Sequence, residues 1–229
     1  GAGNGGPRIG PLVISEVMYN PPNPLLEFIE IYNPTPVTVD LVGWTVNGIG
    51  YEFPIGATIG PGQNLTLLPF DPAITTLAAD FNSAYEVDIG SNLSGFLGPY
   101  PGQLDNGGET LTLHRAAGDP SSGDPRTFPL VIEDQVDFDD MAPWPTEPDG
   151  TGASLQRTFV DLWGNDPGTW SSAIPTPGLY GPEKRFELTA GSTLIGEVGK
   201  LTDLTHELQT VTLSRAYTNP VVFAQPAWA

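Results

Sequence analysis

Apolar and polar residues alternate in short runs along most of this chain. The clearest run is EFIEIY, Glu27 to Tyr32. There Ile29 and Ile31 fall on one face with Glu27, while Phe28, Glu30 and Tyr32 fall on the other. Apolar groups on both faces predict a strand covered on both sides. Asn33-Pro34 ends it, because Pro34 brings no N–H to a ladder and restricts Asn33. VTVD, Val37 to Asp40, is a second short run; Gly43 permits a turn, and Trp44-Thr45-Val46 returns as β-favouring residues.

The pattern extends in both directions. Leu12 to Met18 reads as a first strand. Tyr51 to Phe53, Ala57 to Ile59, and Asn64 to Leu68 with Leu65 and Leu67 on one face, read as further strands. Residues 69 to 104 are weakly periodic and predict an irregular insertion with one helical turn near Ile74 to Ala79. The Asp105 to Gly108 turn leads into ETLTLHR, where Leu111 and Leu113 face a core. Val131 to Asp140 alternates so that Ile132, Val136 and Phe138 share a side. Ala153 to Arg157 is read as the last short strand, and Asp161 to Ser172 as irregular. Many short strands separated by Gly and Pro predict an all-β sandwich.

Composition narrows this picture. The 229 residues include 28 Gly and 25 Pro, and 39% are hydrophobic, enough for a real core. The Gly-rich opening predicts a flexible arm over residues 1–11, with the sandwich over 12–178. From 179 to 229 the texture loses Pro and gains Thr, which predicts a partial β-rich module. With 8 basic and 27 acidic residues the formal charge is −19. A phosphate backbone would be repelled, which excludes nucleic acid as a partner, and an anionic membrane is disfavoured. No run of about 18 apolar residues predicts a membrane span. The chain has no Cys, so disulfides and thiol chemistry are excluded.

Several motifs, in order, resemble the lamin-tail domain family. They are ISEVMYNPP from Ile14, EFIEIYNPT with Glu30 and Asn33, LVGWTV with Gly43 and Trp44, and GATIGPGQNLTLL. They continue with NGGETLTLHR, VDFDDMAPWP, DGTGASLQR with Ser154, Leu155 and Arg157, and Trp170 before PTPG. The resemblance runs from Val13 to Gly178. It implies an immunoglobulin-like β-sandwich, and its bacterial branch implies a secreted or cell-surface protein whose signal peptide has been removed. The tail from Gly196 is similar to the opening strands of an H-type-lectin-like β-sandwich; the later strands of such a module are not present, so no carbohydrate role is carried over from it.

Candidate chemistry is sparse. No nucleophile elbow, phosphate loop or zinc-protease helix occurs, and His114 and His206 lie in different parts of the chain. The expectation is therefore not an enzyme. Calcium takes six to eight oxygens. Asp137 and Asp139 share a strand face roughly 6.6 Å apart along the chain, and Asp140 and Asp149 follow, so these four are the candidate Ca2+ ligands; the loop from Gly118 to Asp124 is a weaker one. Trp144, Trp163 and Trp170 in irregular segments are the candidate ligand-binding platform, against the plainer reading that they plug the sandwich ends. Free sheet edges offer strand addition. The leading function is thus an extracellular interaction or structural module that binds other protein chains or copies of itself, assembling through its termini by strand exchange. The alternative is a calcium-assisted carbohydrate-binding module with a glycan partner.

Overall fold

The computed structural model describes residues 10–118 and 128–178. The strands are β1 (Val13–Met18), β2 (Phe28–Tyr32), β3 (Val39–Asp40), β4 (Thr45–Asn47), β5 (Tyr51–Glu52) and β6 (Thr58–Ile59), followed by β7 (Asn64–Leu67), β8 (Phe96–Leu97), β9 (Gly108–Ala116), β10 (Leu130–Asp139), β11 (Ser154–Arg157) and β12 (Trp170–Ala173). Among the described residues one α-helix, α1, spans Thr75–Tyr85. A six-stranded sheet runs in the order β12-β11-β1-β2-β7-β8, a four-stranded sheet in the order β10-β9-β4-β5, and β3 pairs with β6 alone. Pairing is antiparallel except between β7 and β8. This is the all-β, immunoglobulin-like sandwich the sequence predicts. The features expected for residues 1–9, for the Asp119 to Asp124 loop and for 179–229, including the arm, the tail module and strand exchange at the termini, lie outside the described residues.

Alternation built the core. Ile29, Ile31, Leu65, Leu67 and Leu155 from the larger sheet meet Val46, Leu111, Leu113, Val136 and Phe138 from the smaller one, all almost wholly buried. The other face of β2 is covered too. Phe28, with Met18, Leu68, Phe70 and Phe96, forms a second cluster against Ala78 and Phe81 of α1. Phe28 meets Phe81 and Tyr85 edge-on, with centroids 6.0 and 5.3 Å away. That packing explains why α1 runs for three turns where a single turn was expected. Leu77, Ala78, Phe81 and Tyr85 recur at helical spacing and bury together, and packing of one face supplies most of a short helix's stability.

Asn33 stabilises the corner after β2. It is fully buried; its Nδ2 donates to the carbonyls of Val37 and Ile59 at 2.8 and 2.9 Å, and its Oδ1 accepts from the Thr35 N–H and hydroxyl. Every donor and acceptor of the side chain is thereby used, which is what a buried amide requires.

Two bulges alter the expected alternation. One lies between Ile14 and Glu16, so that Ser15 and Glu16 both leave the core face. The other lies between Ile132 and Asp134. It corrects the reading that Ile132 shares a side with Val136 and Phe138: those two are buried, whereas Ile132 is 56% exposed. Arg157 is also not the end of the sheet, since Trp170 opens β12, which pairs along β11.

Candidate functional site

The outer side of β10 is an edge of the smaller sheet. Backbone groups of alternate residues in an edge strand point away from its partner. Ala117 N donates to Pro129 O at 2.8 Å, which sets the ladder phase and turns the groups of Leu130 and Ile132 outward. Beyond the bulge the edge is taken up. Gly10 N donates to Glu133 O at 3.2 Å, and Asp137 N donates to the side chain of Asn165. A Cβ on Gly164 would stand 2.8 Å from Gln135 O, so only glycine lets the 158–166 loop lie this close.

That loop is held by Arg157, buried at the end of β11. Its guanidinium bonds Asp134 of β10 and the carbonyls of Ile14, Phe159 and Leu162, and sits 5.8 Å from the centre of the Trp170 ring. Asp134 Oδ2 also accepts the Ile14 N–H at 2.8 Å. Burial pushes the Asp134 carboxyl up, and the Arg157 charge with these hydrogen bonds pulls against it. Arg157 and Asp134 thus join β1, β10, β11 and the loop. Arg157 stood out in the sequence only as part of a motif; its partner lies 23 residues away and no spacing rule connects them.

The result is an open corner. Leu130, Val131 and Ile132 are exposed at one end of the β10 edge, and Phe159, Leu162 and Trp163 are exposed on the adjoining loop. Ile132 and Asp134, to which the loop is tied, are roughly 7 Å apart along the strand. Sequence reasoning missed Leu130 to Ile132, because the bulge that exposes Ile132 leaves no mark on the alternation.

The predicted tryptophans divide. Trp163 is 40% exposed, whereas Trp144 and Trp170 are 7% and 5% exposed and pack together with centroids 6.3 Å apart. Trp170 Nε1 donates to Gly164 O at 2.7 Å. A platform of Trp144 and Trp170 is therefore corrected: both pack into the interior, and only an edge of Trp144 reaches a surface recess.

Of the predicted calcium ligands, Asp139, Asp140 and Asp149 lie near one another. Partial burial, then the hydrogen bond and charge of Asp139, push the Asp140 carboxyl up. The Tyr19 hydroxyl, buried without a hydrogen-bond partner, is pushed up to about 12 by burial and by the charges of Asp149, Asp140 and Asp139. Asp149 accepts from Asn20 Nδ2, Asp139 from Met141 N, and Asp137 from Thr110. Asp137 and Asp139 also line a recess of about 240 Å³ with Phe138, Met141, Pro143 and Trp144. Among the described residues, no three acidic or histidine side chains are arranged to hold a metal ion. His114 lies within β9, its Nδ1 buried without a partner, and burial lowers its pKa. No described helix is long and apolar enough to cross a membrane.

A second polar cluster closes the outer face of β1 and β2. Glu16 accepts from Ser154 Oγ at 2.6 Å, Gln156 Nε2 at 3.1 Å, and Thr176 N and Oγ1 at 2.8 and 2.9 Å. Glu30 accepts from Ser15, Asn64 and the Gly178 N–H. These two carboxylates fasten the 174–178 segment across the sheet.

No curated protein matches the chain. A solved structure of a DUF4876 family protein from Bacteroides thetaiotaomicron is similar at 12% identity and a TM-score of 0.42, covering 73% of this chain and 69% of that one. The lamin tail domain model matches residues 7–121, half of the chain, and includes the β1, β2, β7 and β9 motifs on which the resemblance was drawn. This chain belongs to the lamin tail domain family, a family of non-catalytic immunoglobulin-like domains.

Proposed function

We propose that this chain is a non-enzymatic interaction module of an extracellular or cell-surface protein, and that it engages other protein chains by strand addition at the β10 corner. The observation that carries the reading is the exposed run Leu130-Val131-Ile132 on a strand edge, with Phe159, Leu162 and Trp163 exposed on the loop tied to the same strand beyond the bulge. Outward backbone groups supply pairing, and the apolar side chains around them supply burial. The extracellular placement rests on the resemblance to the bacterial branch of the family. The test is to pan a library of extended peptides on the immobilised full chain and follow amide exchange in the presence of those selected. Protection of Leu130 and Ile132, lost in the Leu130→Ser/Ile132→Ser variant, supports the reading. Protection confined to another surface overturns it.

Assembly through the termini is tested by sedimentation of the chain with and without residues 1–11 and 179–229; a monomer in both cases removes it. A carbohydrate-binding role has a narrower basis, since Trp163 is the one exposed indole among the described residues. Retention on a glycan array that disappears in Trp163→Ala favours that role.

A further inference from the structure

We infer that the segment taken up at the β10 corner is cationic: an extended stretch of a partner protein in which Lys or Arg alternates with apolar residues. The inference rests on the docking reading above and adds the partner's charge. The described residues include twenty carboxylate side chains and only two arginines. Both arginines are already paired, Arg115, with its side chain 42% exposed, to Glu133, and the buried Arg157 to Asp134. No described Lys or Arg remains to offset Asp137, Asp139 and Asp140 further along the strand, or Asp161 in the loop beside Leu162. A net charge of −19 over the chain raises the association rate of oppositely charged partners and opposes like-charged ones. A second copy of this chain, at −19, would meet that repulsion in full, so homotypic pairing at this edge is the disfavoured occupant. The exposed Trp163 ring adds a specific attraction, since a cation over an indole face is stabilised beyond the Coulomb term. Alternation follows from the strand geometry: residues of an added strand point alternately to its two faces. At a narrow edge, one of those faces meets the apolar side chains and the other turns to solvent.

Two amidated peptides decide it, Lys-Val-Lys-Val-Lys-Val and Glu-Val-Glu-Val-Glu-Val, titrated into the full chain at low and physiological salt. The expected result is that the lysine peptide binds at least about tenfold tighter, that its affinity falls as salt rises, and that Trp163→Ala weakens it with the melting temperature unchanged. Equal binding of the two peptides, or tighter binding of the glutamate peptide, overturns the charge inference and leaves the edge reading standing. Binding of the lysine peptide that leaves the amides of Leu130 and Ile132 unprotected overturns it as well, because the cation is then held elsewhere. Failure of both peptides, together with failure of the library to protect this edge, removes the edge reading itself.

Discussion

Asp134 and Arg157 form an ion pair with both side chains almost entirely out of water, at 6% and 0% exposure. The pair bridges β10 and β11, which belong to different sheets. Every remaining polar contact of Arg157 goes to a carbonyl of β1 or of the loop carrying the exposed Phe159 and Leu162. Removing the cation leaves a carboxylate stranded in the interior, which is far costlier than never having had the pair. Arg157→Met is expected to lower the unfolding free energy by about 3–5 kcal/mol. Adding Asp134→Leu to it should recover a large part of that loss. Denaturant titration of the two variants checks this; a double variant no more stable than the single one contradicts it.

Glu27 supplies a pH dependence with a definite sign. It is 2% exposed, and accepts from the Leu104 N–H at 3.1 Å and the Tyr100 hydroxyl at 3.3 Å. Burial pushes its carboxyl up, more than those hydrogen bonds pull it down. A carboxyl raised on folding favours the folded state below its unfolded pKa, and that contribution is lost as pH rises through the folded value. Gln in its place accepts the same bonds and never ionises. Glu27→Gln is therefore expected to match the parent near pH 4 and to exceed it in stability at pH 7. Urea midpoints across that range measure the gap, and parallel curves for the two proteins would rule out Glu27 as its source.

The parts of this fold that were legible are those governed by a period. Ile29 and Ile31, Leu65 and Leu67, and Leu111 and Leu113 declared their faces, and each pair is buried where alternation put it. What stayed hidden breaks a period or depends on distant partners. One extra residue at Glu133 reverses the strand, so Ile132 emerges on the surface that forms the candidate site. Trp170 looked irregular because its two-residue alternation is masked by Ser171 and Ser172, yet it opens a strand. Trp144 and Trp170 lie in proline- and glycine-rich stretches that suggest exposure, and only their mutual packing shows that they are interior. Trp163 alone of the proposed platform remains at the surface, and nothing in the local sequence separates it from the other two.

Helix α1 ends on Glu86, a non-glycine residue in the left-handed region at φ 55°. A side chain there crowds the following carbonyl, whereas glycine adopts the conformation freely and is the usual residue at such helix ends. Glu86→Gly is expected to stabilise the protein by about 1 kcal/mol, the cost of the left-handed conformation being larger than the entropy glycine adds to the unfolded chain. Thermal unfolding checks the sign. A destabilised variant would mean that the Glu86 side chain makes a contact worth more than the backbone strain.

The two tryptophans Trp144 and Trp163 should behave in opposite ways, and this separates scaffold from binding surface. Trp144 is 7% exposed and packs on Trp170, so truncation opens a large cavity that the rigid sandwich fills only in part. Trp144→Ala is expected to cost about 3–5 kcal/mol, read as a fall in denaturant midpoint. Trp163 is 40% exposed, and its removal empties no interior space, so Trp163→Ala should change stability by less than about 0.5 kcal/mol. At the same time it should weaken any segment bound at the β10 corner. If Trp163→Ala instead unfolds the protein, the ring is part of the lock formed by Arg157 and the 158–166 loop. If Trp144→Ala leaves stability intact and abolishes binding, the interior placement of that ring is wrong and the recess beside Asp139 becomes the place to look for a ligand.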